Sequence, residues 1–348
     1  MTFNLDTLQH EPAPGPSRRP GRLTTATGWN TFVNHVVTVP ELKAGPPDTP
    51  VPDDDPRMLY HAAMRIVSTP AVEKALAACW QLLRASEPRS EGQLGLIIDG
   101  EHDTGMTVVL RMLGRAYQGR VAARRPKDTG FVPVVHLNVP PSITTPADWA
   151  LLFADFFEMP YTKNPEAAPV RVPDMTGPVR FRLAKAQTQL VLIDGINRLS
   201  DANTASAFSF LTWLRDELGL TIVYCGSGAR DIVQAGLRGN RIAARTANYR
   251  SPYPVITTNP IPYTENDPET WLTVLRALDK DLRLHHHKPD TLLDLAAYLH
   301  QRTGGYITTL SYLICEAAQL AIETGEEAIT RELLAPLLVG RNDEDDPY

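Results

Sequence analysis

The stretch 94–107, LGLIIDGEHDTGMT, carries the residue types and spacing that a phosphate-binding loop requires. Leu94 to Ile98 form an apolar run without alternation, which suits a strand buried on both faces. The chain then turns at Gly100, passes through Glu101, His102, Asp103 and Thr104, and turns again at Gly105. Met106 and Thr107 lead into the helical stretch VVLRMLGRAY. Gly100, Gly105 and Thr107 satisfy the pattern G-x-x-x-x-G-K-[ST], but Met106 stands where that pattern asks for lysine. Paired glycines let the backbone approach phosphate closely, and a helix start offers unpaired N–H groups and a positive dipole end. The ammonium that would reach the outer phosphates is missing, and Glu101 and Asp103 would repel a polyanion. The expectation is weak triphosphate binding or none. The alternative is a plain strand–turn–helix connection that holds no ligand.

A second stretch, QLVLIDGINRLS, ends a strand at Asp194. A carboxylate at the tip of a parallel strand beside a phosphate loop is where Mg²⁺ of a nucleotide would be held, with Thr107 as its hydroxyl partner. The bland alternative is a strand-end carboxylate facing water. The next position is Gly195, which has no side chain and cannot act as a general base. Ser227 closes the strand LTIVYCGSG, where a hydroxyl can meet a γ-phosphate or simply serve the turn. Arg120, Arg124, Arg125 and Lys127 form the densest basic cluster. They could track a nucleic-acid backbone, or be a solvated connection. His285, His286 and His287 are consecutive and share no helix face, so a solvated loop is expected rather than a metal site.

These groups need a frame. Strands are expected at 94–98, 131–138, 190–193 and 220–225, with helices between them, which predicts a parallel α/β sheet flanked by helices. Helical spacing over 57–86 is split at Pro70 into two helices, and the one leading into the first strand is expected to cover the sheet edge. Residues 251–264 read as proline-rich and extended. From Asp267 the pattern is wholly helical, with stops at Gly304-Gly305 and Gly325, giving a small helical domain. The expected organisation is a Pro-rich, largely disordered extension over 1–56, an α/β domain over 57–264, a helical lid over 265–340 and an acidic tail over 341–348. Within the extension, GWNTFVNHVVTVP is expected to anchor through Trp29, Phe32 and Val36.

Composition sets outer limits. The chain has 348 residues, 30 of them proline, a hydrophobic share of 43% and a net charge of −6. Such a balance gives no global reason to bind nucleic acid, so a DNA surface would have to be a local patch. Three cysteines at no metal spacing are expected to be core residues of a reducing compartment. With no long apolar run and no apolar leader, a cytoplasmic protein without a membrane partner is expected.

The order and spacing of several pieces resemble AAA+ ATPases, and most closely the TniB/TnsC-type transposition ATPases. The pieces are STPAVEKAL, GEHDTGMT, VPVVHLNVPPSITTPADW, LVLIDGINRLS, IVYCGSGARDIV, IAART and TGGYITTLSYLICEAAQLAIETGEEAIT, spread over about 57–338. The resemblance implies a P-loop α/β domain with a helical lid. It also implies an ATP-dependent adaptor that assembles side by side on duplex DNA and links a target-site factor to a transposase. It places Gly100, Glu101, His102, Asp103, Thr104, Gly105, Met106 and Thr107 around a nucleotide, and Thr107 and Asp194 at Mg²⁺. Ser227 falls near the sensor position. Arg245, or its neighbour Arg241, would be a finger supplied to the next subunit. Met106 and Gly195 depart from the family's two working charges. The chain is therefore expected to bind ATP or ADP with Mg²⁺ weakly or to have no cofactor, and to be a pseudo-ATPase. Two alternatives remain open. One is an active ATPase in which Arg111 or another residue supplies the missing cation. The other is a non-enzymatic oligomeric scaffold of a bacterial regulatory or defence complex.

Overall fold

The computed structural model describes residues 22–42, 55–62, 69–86, 95–124, 130–160, 174–239 and 253–338. Five strands form one sheet: β1 (Leu96–Gly100), β2 (Val134–Asn138), β3 (Leu190–Asp194), β4 (Thr221–Cys225) and β5 (Val255–Thr258). Their order is β2-β3-β4-β1-β5, and every pairing is parallel. β3 and β4 are buried along their whole length, as continuous apolar runs in a sheet covered on both faces should be.

The crossovers between strands carry α4 (Met106–Ala122), α5 (Pro146–Phe156), α6 (Thr176–Lys185), α7 (Asp201–Leu218) and α8 (Ala229–Gly239). Two earlier helices, α1 (Ala26–Asn34) and α3 (Pro70–Ser86), pack against α4, while α5 and α8 both pack against α7. β1 and β4 touch members of both groups, so the sheet lies between them. Local chemistry fixes the helix starts. At α5, the Thr145 N–H donates to Asp148 Oδ2 at 2.8 Å, the Thr145 hydroxyl accepts from the Asp148 N–H at 3.3 Å, and Pro146 follows at the first helical position. This is a reciprocal capping box, which satisfies two otherwise orphaned donors.

The lid comprises α9 (Glu269–Asp281), α10 (Thr291–Asp294), α11 (Ala296–Thr303), α12 (Ile307–Thr324) and α13 (Arg331–Leu334). It has its own apolar centre, built on Trp271, Leu275, Leu299, Leu310 and Ile314 and separate from the core under the sheet. The Trp271 indole N–H is satisfied by the Ala296 carbonyl at 3.0 Å. A P-loop type parallel sheet with a helical lid is thus present.

Four expectations need correction. Of the two helices split at Pro70, α3 does lie against β5 at the sheet edge, whereas the short helix α2 (Pro56–Ala62), expected in the α/β domain, packs on α12 of the lid. Arg57 makes it do so, because its guanidinium meets both carboxylate oxygens of the buried Glu327 at 2.9 Å. The extended segment after 251 contains a fifth strand, β5, paired with β1. It is short and lies between Pro254 and Pro260, which is tolerable only at an edge. The segment around Trp29 is anchored as expected through Trp29 and Phe32, but Val36 is 83% exposed. The histidine run is not simply solvated. His287 Nε2 lies 2.9 Å from Asp279 Oδ1 with both side chains buried, and the His285 N–H donates to Glu327 Oε2 at 3.0 Å. Among the described residues no group of three His, Cys, Asp or Glu is placed to hold a metal.

Cys79, Cys225 and Cys315 are buried thiols outside any disulfide, in keeping with their apolar contexts. No helix among the described residues is long and apolar enough to cross a membrane.

Candidate functional site

In a sheet of this order the carboxyl ends of the central strands open on one crevice, the usual place for a ligand. Gly100, Asn138, Asp194 and Cys225 all end their strands on that side. The loop from Glu101 to Gly105 joins β1 to α4 there. Gly105 takes a left-handed conformation, φ 85°, as the residue before the helix. Asp103 is also left-handed, at φ 64°, a conformation a non-glycine residue holds only when its surroundings enforce it.

The loop is tied at several points. Thr104 is buried; its hydroxyl donates to the Glu101 carbonyl at 2.7 Å and shares a 2.7 Å hydrogen bond with the Thr258 hydroxyl of β5. A Cβ on Gly100 would run into Thr258, so that glycine is demanded by the approach of β5. The sequence pattern assigned it to phosphate; strand packing alone already requires it. Met106, in the lysine position, turns inward and belongs to the apolar core.

The Thr107 hydroxyl donates to Asp194 Oδ1 at 3.2 Å. This brings together the two residues expected at a cation. Burial pushes the Asp194 carboxyl above the ordinary carboxylate range, against the opposing pull of Thr107, Arg111, Arg198 and the Gly195 N–H. Arg111 sits one helical turn beyond Thr107, and its charge acts on Asp194, His136 and Cys225. It therefore offsets the buried carboxylate from inside the fold, below the loop, where the missing lysine would have reached outward. His136 is held down at about 4 by burial and, secondarily, by Arg111. The Cys225 thiol is pushed well up by burial, with Asp194 adding to the shift.

A carboxylate with a raised folded-state pKa favours the folded state when protonated. Its contribution is present below the unfolded value and is lost as pH rises through the raised one. Asp194→Asn is therefore expected to melt at a higher temperature than the parent at pH 7, and the advantage should shrink as pH falls through the raised value and be gone below about 4, the unfolded value. A pair of melting curves at pH 7 and at about pH 3.5 checks this.

Gly195 is more than a missing acid. It adopts φ 73°, and a Cβ there would stand 2.9 Å from Arg198 Nη1. The Arg198 guanidinium is held in that place by the Asn138 side chain and by the Val139 carbonyl, the latter at 3.0 Å. A side chain at this position would have to push aside the exposed Arg198 guanidinium. Gly195→Glu is expected to lose about 1–3 kcal/mol in urea unfolding from left-handed strain and displacement of Arg198, and to show no gain in phosphate release.

Ser227 lies in the turn after β4, half-buried, on the same edge of the sheet. Arg120 is at the other end of α4, about 20 Å from Thr107 along the helix axis. Its guanidinium stacks over the Trp80 ring at 4.2 Å, while Arg124 is exposed. Arg125, Lys127, Arg241 and Arg245 lie outside the described residues.

Sequence reasoning missed several residues that shape the site. Arg198 and Asn138 carry no motif signal. Nor do Tyr306 and Thr308, which come from the lid. The Tyr306 hydroxyl donates to Glu101 Oε2 at 2.5 Å, and the Thr308 N–H donates to the Asp103 carbonyl at 3.2 Å.

No protein-family model matches the sequence, and no curated protein matches it significantly. Solved structures do resemble it. The Aeropyrum pernix ORC1 protein in complex with DNA matches with a TM-score of 0.50 at 19% identity, over 78% of this chain and 65% of that one. The Aeropyrum pernix ORC2 protein in ADPNP–ADP complexes gives 0.49 at 14% identity, over 76% and 65%. A point variant of Thermotoga maritima RuvB gives 0.43 at 11%, over 78% and 68%. This chain thus spans a little under two thirds of the length of the two ORC chains. At this identity the ORC1 match speaks to fold alone: the sheet and lid are of the AAA+ type. The other two matches are too distant to add to that.

Proposed function

We propose that the chain is an AAA+-fold adaptor of DNA transposition. In this reading it assembles side by side on duplex DNA, binds ATP or ADP weakly or not at all, and hydrolyses little or none. The observation that carries the reading is the state of the sheet edge. Thr107 and Asp194 are paired as a cation would need them. Yet the position for a general base is Gly195, with the Arg198 guanidinium beside it, and the position for the loop cation is a core methionine.

The donor set partly fits a nucleotide with Mg²⁺. Gly105 and the start of α4 offer N–H groups to phosphate, and Thr107 with Asp194 would hold the ion, which would neutralise phosphate charge. Glu101, His102, Asp103, Thr104 and Met106 would border the phosphates without supplying the lysine's charge, and Ser227 would face the outermost one. Gly195, at the general-base position, offers no side chain to activate water. Phosphoryl chemistry relies on positioning and charge, and an arginine finger worth about 10³–10⁵ in competent enzymes has nothing to act on here. Arg245 or Arg241 would then serve subunit contact more than catalysis.

The DNA part rests on the resemblance of the motif order to TniB/TnsC-type proteins. The ORC1 structure that shares the fold is itself a DNA complex. Arg120, Arg124, Arg125 and Lys127 would supply the local patch that a net charge of −6 does not provide globally. The test is binding to duplex DNA across a salt series, with and without Mg·ATP. The adaptor reading expects log affinity to fall with log salt by about 0.9 per phosphate contacted. Undetectable affinity at low salt in both conditions would remove it. One observation favours the alternative of a scaffold without nucleotide: the lid already occupies the loop, as the contacts of Tyr306 and Thr308 show.

A further inference from the structure

Within the loop from Gly100 to Thr107, residues Glu101, Asp103, Thr104 and Gly105 are all met by one continuous stretch of chain, the part that runs from β5 into the lid. Thr258 holds Thr104 through the 2.7 Å hydroxyl pair. Further along, the Ile261 N–H donates to the Gly305 carbonyl at 2.8 Å, and the Ile261 carbonyl lies 3.0 Å from His300 Nε2. These contacts anchor the Gly304–Gly305 turn, which delivers the start of α12 onto the loop. There the Tyr306 hydroxyl meets Glu101, the Thr308 N–H meets the Asp103 carbonyl, and Ile307 Cγ2 lies 3.0 Å from where a Cβ on Gly105 would be. The acidic loop, poorly suited to a polyanion, is well suited to a phenol O–H and a helix N–H.

We propose that Tyr306 and Glu101 form an autoinhibitory latch, through which the lid competes with nucleotide for the phosphate loop. This rests on the nucleotide-pocket reading above. Ile307 against Gly105, with Tyr306 on Glu101 and Thr308 on Asp103, seats the start of the lid helix on the loop that a phosphate would have to engage. Nucleotide and closed lid are then alternatives. By linkage, whatever frees the lid strengthens nucleotide binding, and nucleotide loosens the lid.

The test uses the full chain and its Tyr306→Phe variant. This change removes one hydroxyl and keeps the ring, and a melting curve confirms that the variant folds. A fluorescent ADP with Mg²⁺ is titrated into each protein, and amide exchange is followed at Thr308. The latch predicts about three- to tenfold tighter nucleotide binding in Tyr306→Phe, the net worth of an ordinary intramolecular hydrogen bond. It also predicts faster exchange at Thr308, and nucleotide should speed that exchange in the parent. Equal or weaker binding by the variant, with the parent binding measurably, overturns the latch and leaves the nucleotide pocket standing. No binding by either protein removes the pocket reading, and the latch with it.

Discussion

Arg57→Ala is expected to destabilise the lid by about 3–5 kcal/mol, the cost of leaving one partner of a buried ion pair uncompensated. Glu327 is 1% exposed and receives the Arg57 guanidinium at 2.9 Å on each carboxylate oxygen. Its carboxylate also accepts the His285 N–H, its carbonyl accepts the His286 N–H at 2.8 Å, and its own N–H reaches the Ala321 carbonyl at 2.9 Å. The residue itself sits at φ 54°, so the turn around it is held by these contacts and not by local preference. Removing the guanidinium leaves a carboxylate in a place water cannot reach. Thermal unfolding should show a fall of about 10 °C or more. The double change Arg57→Met with Glu327→Met should recover most of the loss, because two apolar groups need no compensation. A single-variant cost below about 1 kcal/mol would mean that the pair behaves as a surface pair.

Trp29→Ala should have a comparable effect, about 3–5 kcal/mol by urea unfolding, as large-to-small core substitutions of this type do. Trp29 is 1% exposed although it lies within the first 56 residues, a region whose composition suggests a loose tail. Its indole N–H donates to Gln118 Oε1 at 2.9 Å, its ring stacks on His136 with 5.2 Å between centroids, and Phe32 flanks it at 5.4 Å. Gly114 of α4 gives it room, since a Cβ there would crowd both Trp29 and Leu192. Trp29→Phe should retain much of the packing but leave Gln118 without its donor, at about 1–3 kcal/mol. If Trp29→Ala costs less than about 1 kcal/mol, α1 is draped on the sheet domain and is not part of its core.

The comparison of sequence with structure separates near from far. Four strands were legible because each is an apolar run without alternation, which only a doubly covered sheet can use. β5 was not, because VITT is short and lies among prolines. Gly105 was legible as a helix-start glycine, and Asp194 as a strand-tip carboxylate, since both signals are local. Gly100 was legible for only part of its reason, as the Thr258 contact comes from β5. The contacts that decide what the site can do are distant in sequence. Tyr306 and Glu101 are 205 residues apart, and Thr104 and Thr258 are 154 apart. Arg198 follows Gly195 within one turn, yet nothing in INR shows that Asn138 will draw its guanidinium back beside Gly195. Met106 was visible as a lost cation; its burial in the core shows that the lysine's position has been reused for packing.

Steady-state phosphate release from Mg·ATP, by the parent and by Asp194→Ala, tests the central claim most directly. A fold with methionine in place of the loop lysine, glycine at the general-base position and a lid seated on its loop should release phosphate no faster than buffer, with the parent and the variant alike. Clear turnover by the parent that disappears in Asp194→Ala would contradict it.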